Sequence, residues 1–560
     1  MSPHPAVPVN PLTPKGAAAV RAQGSAEGSL GPEGLRADSL PAVPKSDQSS
    51  VSPPRPAAGQ PTPLAEIARI LGIAPVEGAP ASGITHDSRA VRPGDVYVAF
   101  AGANHHGAAF AGQAVERGAI AVLTDPAGAT QAAVTGVPVL VVEQPRAWMG
   151  ALAARIYGDP SQALLTVGIT GTNGKTTSSY LVEGGLRGAG RNPGVIGTVE
   201  MRVAAERIKS ERTTPEATDL HAILAVMRER GADAVVMEVS SHALVYGRAD
   251  GVQYDVAVFN NLTPEHLDFH PDMEDYYRAK ARLFEPARTR AGVVNLDDPY
   301  GRRLAAEAAI PMTGFSAKGA ADADWRALDV QLGPTGSTFR VVGPQGQSAD
   351  AAVPLPGPFN VANALAAITA LVTAGLPLDA VVAGVAGVAG VPGRLERVDA
   401  GQDFVAVVDY AHKPDALQAV LESLREVTKG RLHVVVGCGG DRDPHKRGPM
   451  GAIAARLADT AVLTSDNPRS EDALAILASM LTGAAGVPEA ERGAVLVVPD
   501  RAEAIAAAVA RAHAGDTVLV AGKGHEVGQY VRDEIRPFDD REVLREAIAH
   551  AHPDRGVEQQ

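Results

Sequence analysis

The chain has 560 residues, 51 Lys plus Arg against 64 Asp plus Glu, and a formal net charge of −13. That length fits three domains of roughly 100–200 residues each, and the acidic balance excludes the basic face of a nucleic-acid backbone binder, so no nucleic-acid partner is expected. The lone cysteine, Cys438, excludes an intrachain disulfide framework and a multi-cysteine zinc site; no stretch has the roughly 18–20 strongly apolar residues of a membrane span, the longest candidate being the Ala, Val and Gly run 380–391 before Pro392.

Residues 1–62 hold 12 of the 42 prolines and no Phe, Trp, Tyr or Ile. Such a segment cannot bury enough apolar surface to offset its ordering entropy, so a disordered Pro/Ala-rich extension without chemistry is expected. It has no apolar stretch of about 7–15 residues, which argues against a signal peptide and for a cytoplasmic protein. Helical apolar spacing begins at 64–71, followed by strand-like runs at 95–100, 119–123 and 137–142, with a turn-rich loop at 124–128. Residues 63–161 are expected to form a small α/β domain. From residue 164, apolar strands at 164–170, 234–239, 256–259 and 291–295 alternate with helices, which favours a mainly parallel sheet in a central domain, 162–393. A third α/β domain, 394–560, is expected to carry strands at 404–409, 432–436, 460–464, 494–498 and 517–521. The fold class is therefore α/β, in three domains.

The sharpest motif is Gly171-Thr172-Asn173-Gly174-Lys175-Thr176-Thr177, directly after an apolar strand and before a helical stretch at 178–186. This is the strand–loop–helix setting of a phosphate-binding loop. Backbone N–H groups close on phosphate oxygens, Lys175 neutralises the β- and γ-phosphates, and Thr176 offers its hydroxyl to Mg²⁺. The longer Walker spacing would need glycine at position 169, which is Ile169. Downstream, an apolar strand ends in Glu238, a metal-ligand candidate at the carboxyl edge of a sheet. His266 and His270 have i, i+4 spacing, but no third strong ligand lies nearby; a place for His266 at a magnesium–phosphate centre is favoured over zinc.

These residues resemble the Mur ligase family. The resemblance spans nearly all of 63–550, through Asp87-Ser88-Arg89, 171–177, 238–242, 266–270, 356–360, Gly393-Arg394, 409–412, 439–443, 466–469 and 522–526. It implies an N-terminal domain binding a uridine nucleotide, a central P-loop ATPase domain and a C-terminal Rossmann-like domain. The implied activity joins ATP, UDP-N-acetylmuramoyl-L-alanyl-D-glutamate (the UDP-MurNAc-dipeptide) and a diamino acid through an acyl phosphate, in peptidoglycan precursor synthesis. The resemblance places Asn295 and Arg394 with 171–177 at ATP. It places Ser88, Thr213, Thr214, Ser240 and Arg248 at the uridine-nucleotide substrate. Lys280 matches a lysine that is carbamylated and helps hold a second magnesium, although a helical lysine is ordinarily a solvated charge. Lys175, Lys280 and His266 are thereby the catalytic set, with Thr176, Glu238, His266 and carbamylated Lys280 around Mg²⁺. A monomer is expected.

The third domain decides which amino acid is added. Residues 437–443 lack the last glycine of a dinucleotide fingerprint, Arg442 standing there. The resemblance instead places Arg442, Asp466, Asn467, Pro468, Arg469, Gly522 and Glu526 around the incoming amino acid. meso-Diaminopimelate carries a distal carboxylate that lysine lacks, and the Arg469 fork can bind it bidentately. Lysine would leave that guanidinium desolvated and unpaired, so diaminopimelate is favoured. The alternatives are a lysine-adding ligase, a folylpolyglutamate synthase-like enzyme and a nucleotide-dependent switch without turnover. Three positions depart from the family pattern: Tyr246, Glu265 and Lys413 stand where relatives often have Gln, Asp and Thr.

Overall fold

The structure, a computed structural model, describes residues 54–57, 59–102, 104–203, 206–208 and 212–551. The expectation for residues 1–53 lies outside these. The expected extension reached residue 62, but its end is tied to the fold: Thr62 pairs with Ala81, and the Arg55 guanidinium lies 3.5 Å from Asp95 and bonds the Tyr157 hydroxyl.

The N-terminal sheet has four parallel strands in the order Gly83–Thr85, Asp95–Ala99, Ala121–Thr124, Val139–Val141. Helix Leu64–Leu71 buries Leu64, Ile67 and Leu71 against Val96, Val98, Leu123 and Leu140, as its spacing predicts. The same cluster takes in Ala217, Ala222 and Ala225 of helix Ala217–Glu229, so the N-terminal and central domains share a core. The expected loop at 124–128 is instead the start of helix Pro126–Ala133. Asp125 accepts a hydrogen bond from the Gly128 N–H as its N-cap, and proline suits the first helical position.

The central sheet has eleven strands. Parallel pairings link, in spatial order, Trp325–Gly333, Met312–Ser316, Thr289–Asn295, Tyr254–Phe259, Leu165–Thr170, Ala234–Glu238 and Pro193–Ile196. Antiparallel strands flank both sides: Gly336–Val342 and Ser348–Val353 at one, Met201–Val203 and Glu206–Ile208 at the other. Helices Lys175–Gly188, Pro358–Thr373 and Leu378–Ala386 bury one face of this sheet. The alternation of parallel strand and helix brings the carboxyl ends of its central strands to one edge, where ligands of such sheets sit.

The C-terminal sheet runs Glu396–Arg397, Val405–Asp409, Thr517–Ala521, Leu432–Val436, Thr460–Leu463, Ala494–Val497, parallel except for the first pair. A separate hairpin pairs Gly528–Val531 with Glu534–Pro537. Among the described residues, no helix is long and apolar enough to cross a membrane.

Candidate active site

Strand Leu165–Thr170 delivers Gly171 to the sheet edge, and helix Lys175–Gly188 starts directly after Gly174, which has φ +84°. A Cβ at Gly174 would run into the Asn363 carboxamide, so both the backbone angle and the space require glycine. Lys175 Nζ donates to Gly171 O at 2.8 Å and Thr172 O at 3.0 Å. The neighbouring strands bring further groups to the loop. Asn261 Oδ1 accepts from the Asn173 N–H at 2.8 Å, and Asn295 Nδ2 donates to Asn260 O at 3.0 Å.

Glu238 ends its strand with a buried carboxylate that accepts from the Thr176 hydroxyl at 3.0 Å. Thr198 completes the set, its backbone N–H and hydroxyl donating to the two carboxylate oxygens at 2.9 and 3.0 Å. Thr213 joins through its hydroxyl, 3.0 Å from that of Thr198, and Thr214 donates to Glu238 O at 2.9 Å. Lys280, on helix Met273–Ala281, is only 1% exposed; its Nζ donates to Gly171 O at 2.9 Å. Burial, and then the Lys175 charge, holds its ammonium form well below the usual lysine range. Lys175 is also lowered, by burial first.

His266 has φ +57°, and its ring packs edge-on 4.7 Å from that of His242. Burial pushes its pKa down to about 3, helped by His242, Lys175 and Lys280, so the imidazole is neutral. His270 plays a different part: fully enclosed, its ring lies 2.7 Å from Asp275 Oδ2 and 3.0 Å from the Ser241 hydroxyl. Among the described residues, no group of three or more His, Cys, Asp or Glu is arranged to hold a metal.

The C-terminal domain closes one side of this loop. Arg394 Nη2 is 3.5 Å from the Thr176 hydroxyl, and its guanidinium lies over the Tyr410 ring at 4.5 Å. Asp415 accepts from the Thr263 hydroxyl at 3.0 Å and from Asn173 Nδ2 at 3.3 Å. Lys413 pairs with Glu265, joining two of the positions that depart from the family pattern. Together these groups line a cavity of about 570 Å³ between the two domains, with Lys175, Glu238, His266, Asn295 and Arg394 on its walls.

The expected uridine-nucleotide residues fall in two places. Ser88 is in the N-terminal domain, its hydroxyl donating to Gln113 at 2.9 Å. Thr213, Thr214 and Ser240 are beside Glu238, and Ser240 caps helix Ser241–Val245. Arg248 donates to buried Glu216 at 2.8 Å, and Arg146 from the N-terminal domain donates to the same carboxylate at 2.7 Å. Burial opposes ionisation of Glu216, but Arg146 and then Arg248 hold it below the usual range. Tyr246 lies between them, its ring 5.5 Å from the Arg146 guanidinium and 5.4 Å from that of Arg248.

Most of the expected amino-acid residues converge where strands Thr460–Leu463 and Thr517–Ala521 end. Asn467 Nδ2 donates to Glu526 Oε2 at 2.9 Å, and Tyr410 OH reaches Glu526 Oε1 at 3.4 Å. Gly522 has φ +117°, and a Cβ there would come within 2.6 Å of Asp466 Oδ2. Arg469 follows Pro468, and its guanidinium donates to Gly440 O at 2.6 Å. Arg442 is exposed in the turn beside Asp441 and stands apart from the hydrogen bonds of this cluster. Thr198, Glu216 and Arg146 belong to these two regions and carry no motif that marks them in the sequence; Lys523 falls within the 522–526 segment that carries the resemblance, which gives it no role.

Three family models match in order: the Mur ligase family catalytic domain at 80–157, the Mur ligase middle domain at 169–371 and the Mur ligase glutamate ligase domain at 393–524. The chain is 67% identical over 497 residues to a Streptomyces avermitilis protein named UDP-N-acetylmuramoyl-L-alanyl-D-glutamate–2,6-diaminopimelate ligase, covering 89% of this chain and 98% of that one. A Corynebacterium glutamicum protein of the same name is 48% identical over 461 residues, covering 81% and 89%. A solved structure of a ligase so named matches with a TM-score of 0.64 and 32% identity, over 88% of this chain and all of that one. With its phosphate loop, sheet order and three matched domains, this chain belongs to the Mur ligase family.

Proposed function

We propose that the chain is an ATP-dependent amide ligase that adds meso-2,6-diaminopimelate to the D-glutamate γ-carboxylate of UDP-N-acetylmuramoyl-L-alanyl-D-glutamate. The observation that carries this is the C-terminal cluster, in which a carboxylate, Glu526, accepts from Asn467 Nδ2 and a guanidinium two residues further on, Arg469, donates to Gly440 O. That pair of charges suits an amino acid bearing both an ammonium and a carboxylate at its far end. The names of the 67% and 48% identical relatives support the same substrates.

The chemistry has two steps. The γ-carboxylate oxygen attacks the terminal phosphorus of ATP and ADP leaves. The neutral amine of the amino acid then attacks the acyl carbon, phosphate leaves with the C–O bond electrons, and the proton lost by the amine passes to the departing phosphate. Lys175 and Arg394 are the cations facing the phosphates, and the loop N–H groups hold the non-bridging oxygens. The acyl phosphate would form in the cavity between the two domains, where walls from both limit the approach of water.

The donors present suit a hard cation: a carboxylate, a hydroxyl 3.0 Å from it and a neutral imidazole, with buried Asn260 Oδ1 on the same cavity lacking a hydrogen-bond donor. Thr176, Glu238, His266 and a carbamate on Lys280 would hold Mg²⁺, which neutralises charge on the transferring phosphoryl group when bound. Lys280 suits carbamylation because burial favours its neutral amine, the form that adds carbon dioxide. Ser88, Thr213, Thr214, Ser240 and Arg248 would bind the uridine-nucleotide substrate.

The test is phosphate release from ATP by the purified chain. It should require the UDP-dipeptide and diaminopimelate together with Mg²⁺, and fall by at least about 10³-fold in Lys175→Ala. Release that is independent of the amino acid would contradict the ligase and favour a nucleotide-driven switch.

A further inference from the structure

We infer that Lys523, which has no donor left for a substrate, fixes the spacing between Arg469 and Glu526 and is the positioning residue through which the site selects a diamino diacid over a diamino monoacid. The inference rests on the ligase function proposed above and names a determinant of its specificity.

Lys523 is fully enclosed, at 0% exposure, between two glycines at the end of strand Thr517–Ala521. An ammonium has three protons. Here they face three acceptors: Gly528 O at 2.6 Å, Asn467 Oδ1 at 2.9 Å and Glu526 Oε2 at 3.4 Å. Asp466 Oδ1, 3.8 Å away, adds a second negative charge. A buried cation with this set costs little only while all its partners stay in place, so it resists movement of any of them.

Each contact constrains a substrate-facing group. Asn467 Oδ1 also accepts from the Tyr530 N–H at 3.0 Å, so both its lone pairs are engaged and its Nδ2 is turned to Glu526 Oε2. That leaves Glu526 Oε1, with only the long Tyr410 contact, as the oxygen able to accept from an ammonium. The bond to Gly528 O anchors strand Gly528–Val531. That strand holds Arg469 in turn: Tyr530 O accepts from the Arg469 N–H at 3.0 Å, and Arg469 O accepts from the Arg532 N–H at 2.7 Å. Arg469 has φ +52°, a left-handed conformation a non-glycine residue keeps only where its surroundings impose it. One ammonium thus ties the reader of an ammonium and the reader of a carboxylate to a common point.

The test measures KM for all three substrates, and kcat/KM with meso-diaminopimelate and with L-lysine, in the full chain and in Lys523→Met and Lys523→Arg. We expect Lys523→Met to raise KM for diaminopimelate about 100-fold, the scale of a buried charged hydrogen bond, and to leave KM for ATP and for the UDP-dipeptide within about twofold. The diaminopimelate-to-lysine ratio of kcat/KM should fall with it. Lys523→Arg keeps the charge, but its planar fork cannot serve three diverging acceptors, so a loss of about tenfold is expected. If the methionine variant does not fold, the arginine variant decides. An unchanged ratio in the folded variants, or KM values for all three substrates rising together, overturns the role of Lys523 alone. Absence of product in the unaltered chain overturns the ligase function and this inference with it.

Discussion

Arg469 joins a strained backbone to an exacting chemical task. Its guanidinium is aimed by Gly440 O and its main chain by the neighbouring hairpin, so a planar, bidentate partner is the ligand it fits. Arg469→Lys should lower kcat/KM for diaminopimelate by about 100-fold while leaving the weak use of L-lysine unchanged, read by steady-state kinetics with each amino acid. A parallel loss with both would deny Arg469 its role as reader of the distal carboxylate. This residue is legible in the sequence through the family resemblance carried by 466–469, and an Asn-Pro turn after an apolar strand is compatible with presenting it. Lys523 stands in the 522–526 segment that carries the resemblance, but its role is not legible there, because a lysine between glycines reads as a surface charge and only the fold buries it. Thr198 is similarly silent: its value lies in meeting Glu238 across a strand neighbour 40 positions away in sequence.

At the scale of elements, the buried parallel strands are the most legible because they are continuous apolar runs between turn residues. Expected strands at 432–436 and 517–521 coincide with Leu432–Val436 and Thr517–Ala521. Strand Trp325–Gly333, paired parallel on one side and antiparallel on the other, and the antiparallel strands Gly336–Val342 and Ser348–Val353 escaped that reading. They face solvent on one side, so their apolar residues alternate with polar ones and make no run. The small hairpin at Gly528–Val531 and Glu534–Pro537 escaped because it is short and mostly exposed, Tyr530 and Ile535 included. Helix Asp540–Ala551 is tied to helix Arg501–Val509 by a pair with no exposure, the Arg501 guanidinium meeting both Asp540 oxygens at 2.7 Å and donating to Ala521 O at 3.0 Å. Ala521 directly precedes Gly522 and Lys523, so the pair also supports the amino-acid cluster. Asp540→Asn leaves a buried guanidinium without its counter-charge and should cost about 3–5 kcal/mol, seen as a lower denaturant midpoint; an unchanged midpoint would contradict this.

Across the whole molecule, three sheets bring their chemistry to shared boundaries: the phosphate loop meets Arg394, Lys413 and Asp415, and Glu216 joins Arg146 to Arg248. The order of the domains is legible from motifs; their contacts are not, because residues such as Glu265 and Lys413 are far apart in sequence. Burial of histidines at these boundaries gives the fold an acid limit. His412 and His525 are pushed down to about 4, and His266 to about 3, from an ordinary value near 6.5, chiefly by burial. Below about pH 6.5 the unfolded chain takes up these protons and the folded one does not, so stability falls as pH drops toward 4. Burial also raises the carboxyls of Asp219 (to about 6), Asp95, Asp298 and Asp409, which opposes this, but it lowers His86, His221 and His242 as well, so six histidines stand against four carboxyls. The melting temperature should therefore be lower at pH 4.5 than at pH 7, and a rise would contradict the assignment. The central claim, an ATP-dependent ligase that selects diaminopimelate, is met most directly by competition in one vessel. Purified chain, Mg²⁺, ATP and UDP-N-acetylmuramoyl-L-alanyl-D-glutamate would receive equal meso-diaminopimelate and L-lysine, and the products would be weighed by mass spectrometry. A product carrying diaminopimelate in large excess is the expected result; equal incorporation of lysine, or no product at all, would contradict it.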